Sequence, residues 1–73
     1  MCLAIPGKII SIDGELMAEV DYGHVQNKVS LKLSPDAKCG QWVLVHAGFA
    51  VQVLDEDEAQ ETLALLRELA QYV

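Results

Sequence analysis

Two side chains in this 73-residue sequence offer chemistry that core packing does not call for: the thiol of Cys2 and the imidazole of His46. The small side chain of Cys2 suits removal of Met1, which leaves a chain that begins with cysteine. Such a terminus presents a thiolate and an α-amine on adjacent carbons. Together they can close a five-membered chelate on a soft or borderline metal such as iron. The neighbouring cationic amine favours the thiolate, the form that binds metals. The competing reading makes Cys2 a small apolar residue that starts the first strand, since free cysteines are often simply buried. His46 closes the run Trp42-Val43-Leu44-Val45-His46 and stands two residues before Gly48. Strand alternation groups it with Trp42 and Leu44, opposite Val43 and Val45. It is either a ligand or proton handler at a rim, where Gly48 lets another chain approach, or a histidine that fills a barrel face with one ring nitrogen satisfied.

The other reactive residues point nowhere in particular. His24 follows Gly23 at a turn and is expected to be exposed. Cys39 precedes Gly40 in a polar loop and is given no role. Two cysteines and two histidines without a C-x-x-C pair do not build a four-ligand structural zinc site. They make no nucleophile–base–orienter triad, and the chain has neither a phosphate-binding loop nor a dinucleotide fingerprint. The acids Asp55 to Glu58 serve helix capping better than paired-carboxylate catalysis. So short a chain has little room for a substrate pocket beside a core.

The elements that must position Cys2 and His46 are mostly strands. Pro6-Gly7 is a turn signal, after which Lys8 to Ile12 reads as a strand rich in β-branched residues. Asp13-Gly14 is a hairpin turn in which Gly takes the positive φ. Leu16 to Tyr22 returns, with Leu16, Ala18, Val20 and Tyr22 on one face. Gly23 permits a second tight connection. Val25 to Leu33 alternates, with Val25, Asn27, Val29, Leu31 and Leu33 on the apolar side. A polar connection from Ser34 to Gly40 leads to a fourth strand over Trp42 to Ala47. Gly48 implies a bulge, a bend or a close approach, and Phe49 to Leu54 is a fifth strand. Asp55 caps a helix whose Glu58 completes a capping box. Glu56, Asp57 and Glu58 complement the helix dipole. Ala59, Leu63, Leu66 and Ala70 form its apolar stripe, widened by Thr62, Leu65, Leu69 and Val73. The expectation is one mainly β domain over residues 1–73: a small OB-like antiparallel barrel of about five strands in residues 1–54, and a C-terminal helix in 55–73 that covers an open side.

Composition agrees with one small domain. About half of the residues are apolar, and only Tyr22, Trp42, Phe49 and Tyr72 are aromatic, so aliphatic side chains supply most of the core. A net charge of −6, from eleven acids and five bases, disfavours nucleic acid and anionic lipid and favours partners with basic patches. The start Met1-Cys2-Leu3-Ala4-Ile5-Pro6-Gly7 lacks the basic region of a signal peptide. No run approaches the ~20 apolar residues of a membrane span. Two cysteines fit a reduced, cytoplasmic protein better than a disulfide-built secreted one.

Two segments carry a resemblance. Met1-Cys2-Leu3-Ala4-Ile5-Pro6-Gly7, followed by Gly40-Gln41-Trp42-Val43-Leu44-Val45-His46-Ala47-Gly48-Phe49-Ala50, resembles the HypC/HupF family of nickel–iron hydrogenase maturation chaperones. The likeness covers nearly the whole chain. It implies an accessory protein rather than an enzyme. Such a protein carries or helps assemble the iron unit Fe(CN)2CO with a HypD-like iron–sulfur partner, and delivers it to the precursor of the hydrogenase large subunit. By position, Cys2 matches the family's N-terminal cysteine, the proposed iron ligand and partner contact. His46 matches the histidine associated with the same iron. The iron is then a transient cargo whose remaining ligands a partner supplies. Two other classes compete: a plain OB-like interaction module in which Cys2 and His46 only pack, and a thiol-redox protein that would need a Cys2–Cys39 bridge.

Overall fold

The computed structural model describes residues 4–70. In chain order it contains β1 (Ile5–Ile12), β2 (Met17–Asp21), β3 (Gln26–Ser30), β4 (Trp42–His46), β5 (Phe49–Leu54) and α1 (Glu56–Ala70). The five strands close into a barrel in the order β1-β2-β3-β5-β4. Four of the five seams are antiparallel, and β3 meets β5 in parallel through the single pair Ser30 and Phe49. The expected small barrel of five mostly antiparallel strands with a C-terminal helix is present, and its one parallel seam has a topological reason. A ring of five strands cannot alternate direction all the way round, so one neighbouring pair must run the same way.

Aliphatic side chains fill the barrel as the composition requires. Ile9, Ala18, Val20, Val29, Leu31, Val43, Val45 and Ala50 form one buried cluster, joined by Ala37 from the loop between β3 and β4. Tyr22, partly buried, packs against it. Burial raises the hydroxyl pKa of Tyr22 above the ordinary 10.0.

Several local expectations change. Pro6 and Gly7 do not turn; they lie inside β1 and are buried. Pro6 falls where β1 pairs only with β4, since pairing to β2 begins at Lys8, and a missing N–H is tolerated there. Gly7 is needed for close approach. A Cβ at this position would collide with Cγ1 of Val20 and come within 2.9 Å of the Tyr22 ring. In the β1–β2 connection the positive φ belongs to Leu16, at 58°, and not to Gly14. The carboxylate of Asp13 organises that loop by accepting the N–H groups of Glu15 and Met17 at 2.9 and 3.2 Å.

The third strand is shorter than its alternation suggests. Val25 and Leu33 are 55% and 62% exposed, and Asn27 is exposed as well. Leu31 adds one last rung by donating its N–H to Leu16, and the backbone then turns, with Ser34 donating to Leu31. Gly48 sits in a two-residue hairpin turn, whereas the bulge in β5 falls at Val51, where the register against Leu44 and Val45 shifts.

The helix begins as read. Glu58 N–H donates to Asp55 Oδ1 at 2.8 Å, and Asp55 N–H donates to Glu58 Oε1 at 3.2 Å, a reciprocal capping box. α1 packs against β1, β4 and β5. Ala59 is fully buried, and Thr62, Leu63 and Leu66 partly so. Leu65 and Leu69 do not widen the docked stripe; they are 60% and 59% exposed. Position 73 of the expected helix lies outside the described residues. No helix among the described residues is long and apolar enough to cross a membrane.

Candidate functional site

His46 is the last residue of β4 and is half-buried. The residues before it decide its direction. Val43 and Val45 enter the core at 0% and 8% exposure, so alternation sends Trp42, Leu44 and His46 to the other side of the strand. The chain then reverses in two residues, Ala47 at φ +53° and Gly48 at φ +85°. Positive φ at both central positions is the type I′ hairpin turn, whose twist matches that of the flanking strands. Gly48 adopts it freely, whereas Ala47 does so against a Cβ penalty of roughly 1–2 kcal/mol. This turn sets His46 directly opposite Phe49.

The hairpin is anchored from both flanks. On one side Ser30 pairs with Phe49 and donates its N–H to the Gly48 carbonyl at 2.9 Å. On the other side β1 runs antiparallel to β4, with Ile5 opposite Val45 and Pro6 opposite Leu44. Followed backward, β1 therefore heads toward the His46 end of β4. Ile5 and Phe49 are 43% and 40% exposed, which leaves apolar surface at this end of the barrel.

Cys2 lies outside the described residues, so its relation to His46 rests on covalent reach. It precedes Ile5 by three residues, a step of at most about 11 Å for a fully extended chain. Among the described residues, no group of three or more His, Cys, Asp or Glu side chains is arranged to hold a metal ion. What they offer at this end is one imidazole, a donor suited to iron, and a complete shell would need donors from elsewhere.

His24 is exposed beside its turn, as expected. Cys39 has a structural contact that sequence reading missed. It occupies a tight turn in which Gln41 donates its N–H to the Lys38 carbonyl, and its thiol donates to the Ile10 carbonyl at 3.2 Å. Ile10 is the residue at which β1 slips register against β2, so the thiol caps a carbonyl at an irregular point of the ladder. The opposition of His46 and Phe49 was also missed, although its signal was present. An Ala-Gly pair between two β-rich runs implies a two-residue turn, which places the residues on either side of it face to face.

Comparison with known proteins gives the family. The HupF/HypC family model matches residues 1–66. The chain belongs to that family. The hydrogenase maturation factor HypC of Synechocystis is 40% identical over 94% of this chain and 97% of its own length. HypC of Azotobacter chroococcum is 46% identical, over 97% of this chain and 84% of its own length. The hydrogenase maturation factor HybG of Escherichia coli is 37% identical over 94% of this chain and 92% of its own length. The family match spans the N-terminal segment, the β4–β5 hairpin and most of α1, so membership covers both ends of the candidate site.

Proposed function

We propose that this HupF/HypC-family chain is a hydrogenase maturation chaperone, not an enzyme, and that it works in the cytoplasm. Its cargo is the Fe(CN)2CO unit. It holds the iron together with a HypD-like iron–sulfur protein and passes it to the hydrogenase large-subunit precursor. Cys2 supplies a thiolate and His46 an imidazole, and the partner supplies the remaining ligands. The register of β1 on β4 is the observation that supports this reading, because Ile5, three residues after Cys2 in sequence, lies opposite Val45, the neighbour of His46. The maturation-factor relatives support the same assignment.

The chaperone reading predicts that anaerobic co-purification with a HypD-like partner yields a complex containing iron. Cys2→Ala should reduce the recovered iron at least tenfold, and His46→Ala should reduce it several-fold, since each removes one ligand of a shared shell. A Cys2→Ala protein that retains partner and iron at the wild-type level would sink the central claim. The competing reading, an interaction module without a metal role, draws on the lack of a three-donor cluster among the described residues. It expects both substitutions to leave the complex and its iron intact, so one experiment decides between them.

A further inference from the structure

We propose that Phe49 is a positioning residue for His46: its ring stands beside the imidazole across the β4–β5 hairpin and limits the orientations that the imidazole can take. The inference rests on His46 being the working residue of the site. The register places the two side chains directly opposite each other. Opposed residues in an antiparallel pair share a face, with Cβ atoms about 4.5–5.5 Å apart. An imidazole and a phenyl ring at that spacing fall within the range of offset or edge-to-face packing.

The remaining observations say why this phenylalanine is not explained by the core. It is the only phenylalanine in the chain. It is absent from the buried cluster and is 40% exposed. Its backbone is paired on both sides, with His46 on one strand and Ser30 on the other. The adjoining turn keeps Ala47 in a left-handed conformation that an L side chain disfavours. That tight two-residue turn fixes the His46–Phe49 opposition, since a longer loop would let the pair slip. An imidazole on an outward strand position has two free torsions, and a bulky ring beside it excludes part of their combinations. A ligand oriented in advance loses less entropy when iron arrives.

The test uses two readouts and the full chain. Phe49→Leu keeps apolar bulk at the position and removes the aromatic ring. In the free protein, the ring protons of His46 should move away from their ring-current-shifted positions, while those of His24 stay fixed as an internal control. With the HypD-like partner under anaerobic conditions, iron recovered in the complex should fall several-fold, with the urea unfolding midpoint of the free protein near that of wild type. His46 resonances that superimpose on wild type would overturn the proposal, because the rings would not be in contact. Resonances that move while the complex keeps its full iron would overturn it as well, because the contact would have no role. His46→Ala with undiminished iron would instead defeat the reading of the site, and the two failures are told apart by which variant behaves as wild type.

Discussion

At the scale of single residues, this protein uses glycine and cysteine for reasons that local sequence does not announce. Pro6-Gly7 is a turn signal by composition, yet both residues continue a strand. The requirement for Gly7 comes from the far side of β1, where Val20 and Tyr22 leave no room for a side chain. Gly7→Ala therefore overpacks the barrel. It should destabilise the fold by about 1–3 kcal/mol, the usual cost of adding a methyl group to a filled core. Urea unfolding measures this, and an unchanged midpoint would mean that Val20 and Tyr22 give way freely. Gly14→Ala is the control, since nothing lies within 4 Å of its Cβ position. Cys39 makes the same point from another direction. Its contact with Ile10 spans 29 positions of the chain, and no spacing rule links the two. His46 was legible because its direction depends only on alternation within its own strand.

At the scale of elements, the helix start follows from local spacing, whereas strand length and the width of the docked helix face depend on neighbouring elements. The capping box at Asp55 and Glu58 involves residues three apart and forms as the spacing implies. Asp55→Ala removes an acceptor from the first turn and should cost about 1 kcal/mol. The loss should appear as a lower thermal midpoint with a reduced helical signal, and a change confined to the barrel's near-ultraviolet signal would contradict it. The far side of α1 was misjudged, because periodicity identifies apolar positions without saying how wide the supporting surface is. The sheet covers Ala59, Leu63 and Leu66 and leaves Leu65 and Leu69 in solvent. β3 failed for a related reason. Its alternation continues to Leu33, but pairing with β2 ends with the Leu31 N–H, after which the backbone turns. Hydrophobic pattern sets which side a residue would face, and hydrogen-bonding partners set whether it is in a strand at all.

At the scale of the whole molecule, the barrel is closed unevenly, and the uneven seam adjoins the candidate site. β2 and β4 have a strand on each side, and their ladders run through whole strands. The β3–β5 seam holds by the pair Ser30–Phe49, by the bond from Ser30 N–H to the Gly48 carbonyl, and by the Ser34 hydroxyl, which donates to the Ala50 carbonyl at 2.9 Å. That one seam had to be parallel follows from the strand count, so it was within reach of a sequence argument; that it would be this short depends on where the Ser34–Gly40 loop falls. Few hydrogen bonds across a seam mean that it opens at a lower free energy than the rest of the fold. The Ser30 amide should therefore exchange with solvent faster than the amides of β2 and β4. Ser34→Ala removes one of the fastenings. A hydrogen bond of about 1 kcal/mol corresponds to a roughly fivefold change in an opening equilibrium, so Ser30 exchange should accelerate by about that factor while β2 and β4 change little. If the Ser30 amide exchanged at the global rate, and Ser34→Ala slowed or left unchanged its exchange, the seam would be as firm as its neighbours. The hairpin bearing His46 would then be held by the whole barrel and not by this edge. Phe49 belongs to both the seam and the pair with His46, so under the positioning role proposed for it, whatever loosens the seam would also loosen the orientation of the imidazole.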